Sequence, residues 1–203
     1  MIRKPIQDTT LLGKWEEVEK IKASDFTKNE ADRQVLDGLI LKGYEYKYDG
    51  LPNENGEMYS KDAIDDFINR YFVGKSLNMV VDIEHDHRPE WLAGKVLYLE
   101  NNATGFYFVA YIPKTYMHYN TIKNLLQDGI LQGFSKEGYA EGEIKQTKDG
   151  QEYFHIQKMD ILRLSLVSTP ANANVFEDMQ ETVNALRYKK VEPTPKTHYD
   201  FLW

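Results

Sequence analysis

The sequence predicts a mainly β fold with helices, of the α+β class: an antiparallel β-barrel or sheet of about seven strands decorated by helices. Two observations carry this. Stretches rich in β-branched and aromatic residues recur along the chain, each bounded by Gly, Asn, Asp or Pro turn chemistry. Helical spacing interrupts them only a few times, too rarely for the alternation that builds a doubly wound parallel sheet. With 203 residues, 41% of them hydrophobic, the chain is long enough for one sizeable core and short enough for a single domain.

Residues 1–34 are polar and mixed in charge, with weak helical patterning around Trp15–Ile21, and read as a mobile or partner-dependent arm. The domain proper is expected over 35–188. VLDGLILKGYEYKY (35–48) is the first strand, with Gly43 as its candidate bulge, and DGLPNENGE then supplies dense turn chemistry. Ser60 is placed to cap a helix in which Ala63, Ile64, Phe67, Ile68, Tyr71 and Phe72 follow helical spacing. Residues 78–86, 93–102 and 105–113 read as three strands, the last two joined through an Asn-rich turn. A helix over 115–129 ends at Gly129. Strands over 130–146 and 153–168 are joined by a turn at Asp149-Gly150. Pro170 closes the run, residues 172–188 pattern as a helix, and 189–203, with two prolines, form an extended tail.

Composition removes several function classes. No cysteine is present, which excludes a disulfide framework, a thiolate metal site and a cysteine nucleophile. A net charge of -7 argues against nucleic acid or an anionic membrane as the main partner. The N-terminus lacks the apolar run of a signal peptide, and no stretch approaches the roughly 20 apolar residues of a membrane span, so a soluble intracellular protein is expected.

Two places carry candidate chemistry. His85 and His87 lie in DIEHDHRPEW and share a face if the strand persists there; with Glu84 and Asp86 beside them they offer imidazoles and carboxylates to a divalent ion, although the spacing matches no zinc motif. Ser135 lies in LQGFSKEGYAEG between Gly133 and Gly138, and glycine lets backbone approach a substrate closely. On its own a Gly-Phe-Ser is usually a bend, and the Gly-x-Ser-x-Gly elbow of α/β-hydrolases is absent.

Three segments, in order, resemble the phage prohead serine protease family, which shares its fold with the herpesvirus assemblins. They are VVDIEHDHRPEWLAGKVLYL, GILQGFSKEGYAEG and MDILRLSLVSTPANANV, and with the upstream GYEYKYDGLPNENGEMYSKDAIDDF they span about residues 38–176. The resemblance implies a herpesvirus-protease-like barrel and a serine endopeptidase that cuts scaffold and capsid-protein segments inside an immature shell in the host cytoplasm. It puts Ser135 at the nucleophile and His85 at the base, leaving His87 dispensable. A serine hydroxyl is a weak nucleophile and needs a neutral imidazole within hydrogen-bond reach, itself held in one tautomer by a third group.

Many family members carry an acid two positions before the strand serine, where this chain has Arg163. Asp160, five before Ser165, is the expected third member, on a face shared with Leu162 and Leu164; the alternative is that Asp160 faces solvent and another acid, or His155, takes the place. The same alignment draws the oxyanion donors from the backbone of Ser168 or Thr169. No cofactor or metal is expected. Major capsid protein and scaffold protein are the expected substrates. A homodimer, or assembly itself, is the expected route to activity, through ordering of residues 168–174. Rival readings are a catalytically silent capsid-assembly or scaffold-associated protein on the same fold, a metal-dependent hydrolase built on His85, His87 and Glu84, and an aromatic-surfaced binding module.

Overall fold

The computed structural model describes residues 2–11, 14–23, 25, 34–53, 55–71 and 79–168. The helix expected over 172–188, Thr169 and the tail lie outside these. Among the described residues, nine strands form one sheet: β1 (Ile2–Leu11), β2 (Lys14–Lys22), β3 (Val35–Lys47), β4 (Glu57–Tyr59), β5 (Val80–Ile83), β6 (Leu92–Asn101), β7 (Gly105–Pro113), β8 (Gly133–Gln146) and β9 (Glu152–Val167). Two α-helices accompany them, α1 (Lys61–Tyr71) and α2 (Tyr119–Gln127). The fold is therefore mainly β and α+β.

The strands run in the order β1-β8-β9-β5-β6-β7-β3-β2, with β4 paired to β9. Most pairs are antiparallel, but β5 and β4 both lie parallel to β9. The expected barrel is not closed: β1 and β2 end the hydrogen-bonded path and do not pair with each other, and the sheet is open. It nevertheless curls. Phe108 of β7 meets Phe134 of β8 edge-on at 4.9 Å between ring centroids, although three strands separate β7 from β8 along the sheet. Lys136 of β8 likewise pairs with Glu45 of β3, with both side chains buried.

Two apolar clusters explain the strand sequences. The larger fills the curl and holds Leu39, Leu41, Phe106, Phe108, Phe134 and Leu164 with Ile64 and Phe67 of α1 and Ile122 and Leu126 of α2. The smaller, on the other face of β3, gathers Val18, Leu36, Ile40, Val109 and Tyr111. Burial on both faces is why VLDGLILKG reads as a nearly continuous apolar run. Around Trp15–Ile21 the chain is strand, not helix. Trp15 packs on one cluster and Val18 on the other, and a bulge between Val18 and Ile21, with Lys20 at φ +51°, returns Ile21 to Val18's side. A bulge mimics helical spacing in the sequence.

Local signals elsewhere act as read. Ser60 Oγ accepts from the Ala63 N–H at 3.1 Å, and Asn102 Oδ1 accepts from Thr104 and Gly105 in the β6–β7 turn. The bulge of β3 falls between Tyr44 and Tyr46 rather than at Gly43, which frees Glu45 from the alternation.

Candidate active site

Phe134 and Lys136 of β8 point into the core, so Ser135 between them points to the opposite face. In the ladder Ser135 stands directly opposite Ser165 of β9, and Ser165 opposite Asp82 of β5. Laterally paired residues project to the same side of a sheet, which puts all three side chains in one row. Each has 0% exposure. Two residues along, Glu137 pairs with Arg163. The Arg163 guanidinium lies 3.5 Å from both Asp82 Oδ2 and Glu137 Oε2.

The strand carrying Asp82 stops at Ile83, and the chain reverses. Asp86 N–H donates to Ile83 O at 2.9 Å, and Glu84 and His85 both adopt positive φ, 53° and 57°. A turn with two left-handed central residues favours Asn-Gly; Glu-His there costs roughly 1–3 kcal/mol per residue. The surroundings hold it in place. Glu84 N–H donates to Leu166 O at 3.0 Å, and the Ser168 N–H donates to Glu84 Oε1 at 2.6 Å. The turn swings His85 back over the row of serines, where Nδ1 meets Ser165 Oγ at 3.0 Å.

The structure thus brings His85 onto the face of Ser135, but its hydrogen bond goes to Ser165, and Ser135 Oγ is buried with no hydrogen-bond partner among the described residues. His87 points elsewhere, bonded to Glu137 at 2.9 Å, so the two histidines do not converge. Asp86 is taken by Arg88, whose guanidinium holds that carboxyl below its usual range.

Asp160 does not join this group. Its ladder partner is Tyr139, four residues along β8 from Ser135, roughly 13 Å away at about 3.3 Å per residue. Its carboxylate accepts from Arg70 of α1 at 2.7 Å. The expected face-sharing fails because a bulge between Ile161 and Arg163 breaks the alternation: Leu162 is half exposed while Leu164 is buried. His155 is also remote, beside Lys145 at 3.1 Å, with burial and then that ammonium pushing its pKa down. Ser168, expected to present its N–H to an oxyanion, gives it to Glu84 in this arrangement. Sequence reading passed over Asp82 and Ser165 as functional residues and weighed Glu84 only as a metal ligand; a parallel β5–β9 pairing, which no local pattern encodes, makes Asp82 and Ser165 neighbours.

A serine and a histidine share one face of the curled sheet, the histidine fixed in a strained turn, and these are the residue types that serine hydrolases use as nucleophile and base. Residues 24–188 match the family described as Caudovirus prohead serine protease, and the chain belongs to that family. It is accordingly a serine protease of phage capsid maturation. The fold is similar to that of the bacteriophage T4 capsid assembly protease gp21, with a TM-score of 0.58 and 16% identity over 83% of this chain and 99% of that one. No curated protein matches the chain in sequence.

Proposed function

We propose that the chain is the endopeptidase that cleaves scaffold and major capsid protein segments inside the assembling prohead, with Ser135 as nucleophile and His85 as general base. The observation that carries this is the convergence of His85 on the Ser135–Ser165 row, held there by a turn with two residues at positive φ. Ser135 Oγ attacks the scissile carbonyl as the imidazole accepts its proton, and the same imidazole returns that proton to the leaving amine. Water then releases the acyl group by the reverse sequence. Because Nδ1 faces Ser165, Nε2 is the nitrogen left to take the Ser135 proton.

Burial of Ser135 and engagement of the Ser168 N–H by Glu84 support a resting arrangement that assembly or dimerisation opens. Asp160, tied to Arg70, is assigned to the α1–β9 contact rather than to the third catalytic place. Coexpression with the cognate scaffold and major capsid proteins tests the reading by intact mass. Truncated products are expected with the native chain and none with Ser135→Ala. Equal processing by both refutes it.

A further inference from the structure

A base that accepts the Ser135 proton at Nε2 must carry its own proton at Nδ1, so something must favour that tautomer. The group at Nδ1 is Ser165 Oγ, at 3.0 Å. A hydroxyl alone selects neither tautomer, because it donates or accepts with equal ease. The choice passes to whatever takes the hydroxyl proton. Next to Ser165 in the ladder, on the same face, stands Asp82: fully buried, ion-paired with Arg163 at 3.5 Å, and with neither carboxylate oxygen accepting a hydrogen bond from the described residues. A buried carboxylate without hydrogen bonds is costly and is a ready acceptor.

Resting on the reading of Ser135 as nucleophile and His85 as base, we propose that Ser165 and Asp82 are the positioning pair for His85, with Nδ1–H donating to Ser165 Oγ and the Ser165 hydroxyl donating to the Asp82 carboxylate. The third place is thereby split between a contacting hydroxyl on β9 and a carboxylate on β5. Asp82 orients the imidazole through Ser165, and its negative charge, acting through space, stabilises the imidazolium formed during acylation. Arg163, held between Asp82 and Glu137, sets its positive charge beside the carboxylate without occupying its hydrogen-bonding sites. This also accounts for a basic residue at position 163: the acid that serves the histidine comes from the neighbouring strand.

The test is the second-order rate of labelling by a fluorophosphonate probe, measured on the full chain as native protein, Ser165→Ala, Ser165→Thr and Asp82→Asn, each also in a His85→Ala background. Loss of one orienting hydrogen bond is expected to slow labelling about tenfold or more in Ser165→Ala, with Ser165→Thr restoring most of the rate. Asp82→Asn is expected to slow it further, toward the roughly 10⁴-fold loss seen when a triad carboxylate becomes an amide. In the His85→Ala background all three substitutions are expected to change nothing, because their effect runs through the imidazole. A native rate in Ser165→Ala, or an equal slowing with and without His85, overturns the proposal; a merely structural role gives the latter. If Ser165→Ala fails to fold in a thermal melt, the same comparison is read from Ser165→Thr and Asp82→Asn. Continued labelling of Ser135→Ala refutes the underlying nucleophile assignment instead and is thereby distinguished.

Discussion

At the scale of single residues, the site is bought with backbone strain. His85 at φ +57° sits where a residue with a Cβ is disfavoured and glycine is not. That gives a test independent of catalysis. His85→Ala and His85→Gly both remove the imidazole and its bond to Ser165, so any difference between them reports the backbone. His85→Gly is expected to be the more stable of the two by about 1 kcal/mol, visible as a higher melting temperature. An alanine variant as stable as the glycine one means that the turn is unstrained. His85 and Ser135 were legible in the sequence through their motifs. Asp82 was not, since a lone aspartate inside an apolar strand has a meaning only once its neighbour across the sheet is known.

At the scale of elements, β8 and β9 set the geometry, and two irregularities decide it. The bulge at Gly138, three residues from the nucleophile, changes which faces align and separates Asp160 from the serine row. The two strands also approach closely at Gly138: a Cβ there would lie 2.1 Å from the Asp160 carbonyl oxygen. Gly138→Ala is therefore expected to cost about 1–3 kcal/mol by chemical denaturation and to slow probe labelling as well, because forcing the strands apart shifts Ser135 against Ser165. Unchanged stability would show that the strands part freely at this point. The positions of β3 and of β5 to β9 were legible from composition and turn residues, with β7 spanning Gly105–Pro113 as read and Ser60 capping α1, whereas β1 and β2 fall in the stretch read as an arm and β4 at the end of a stretch read as turn. The bulges were not, because one extra residue in a strand leaves no signature beyond a break in alternation, and helical spacing gives the same break.

At the scale of the whole molecule, an open sheet has to be held curled without the hydrogen bonds that close a barrel. The Lys136–Glu45 pair, joining β8 to β3 through the core, is one such tie, with the ammonium 4.2 Å from the Tyr59 ring centroid. Two buried charges are costly singly and tolerable together. Lys136→Met is expected to lower stability by about 3–5 kcal/mol in denaturant unfolding, and Lys136→Met with Glu45→Leu to recover most of it. A single variant no worse than the double would mean that Glu45 is satisfied without Lys136. Chain closure was the least legible feature: strand number and alternation are the same for a barrel and for a curled sheet, and only the pairing of the end strands tells them apart.

Nucleophile identity is where everything converges, because Ser135 and Ser165 face each other across one pair of strands and it is Ser165 that hydrogen-bonds His85 in this structure. Trypsin separates them, into a peptide spanning 124–136 and one spanning 164–187. Mass spectrometric mapping of the fluorophosphonate adduct on the native chain is expected to place it on Ser135, to find none in Ser135→Ala, and to find the slow residual adduct of His85→Ala on Ser135 as well. An adduct on Ser165 would contradict the assignment.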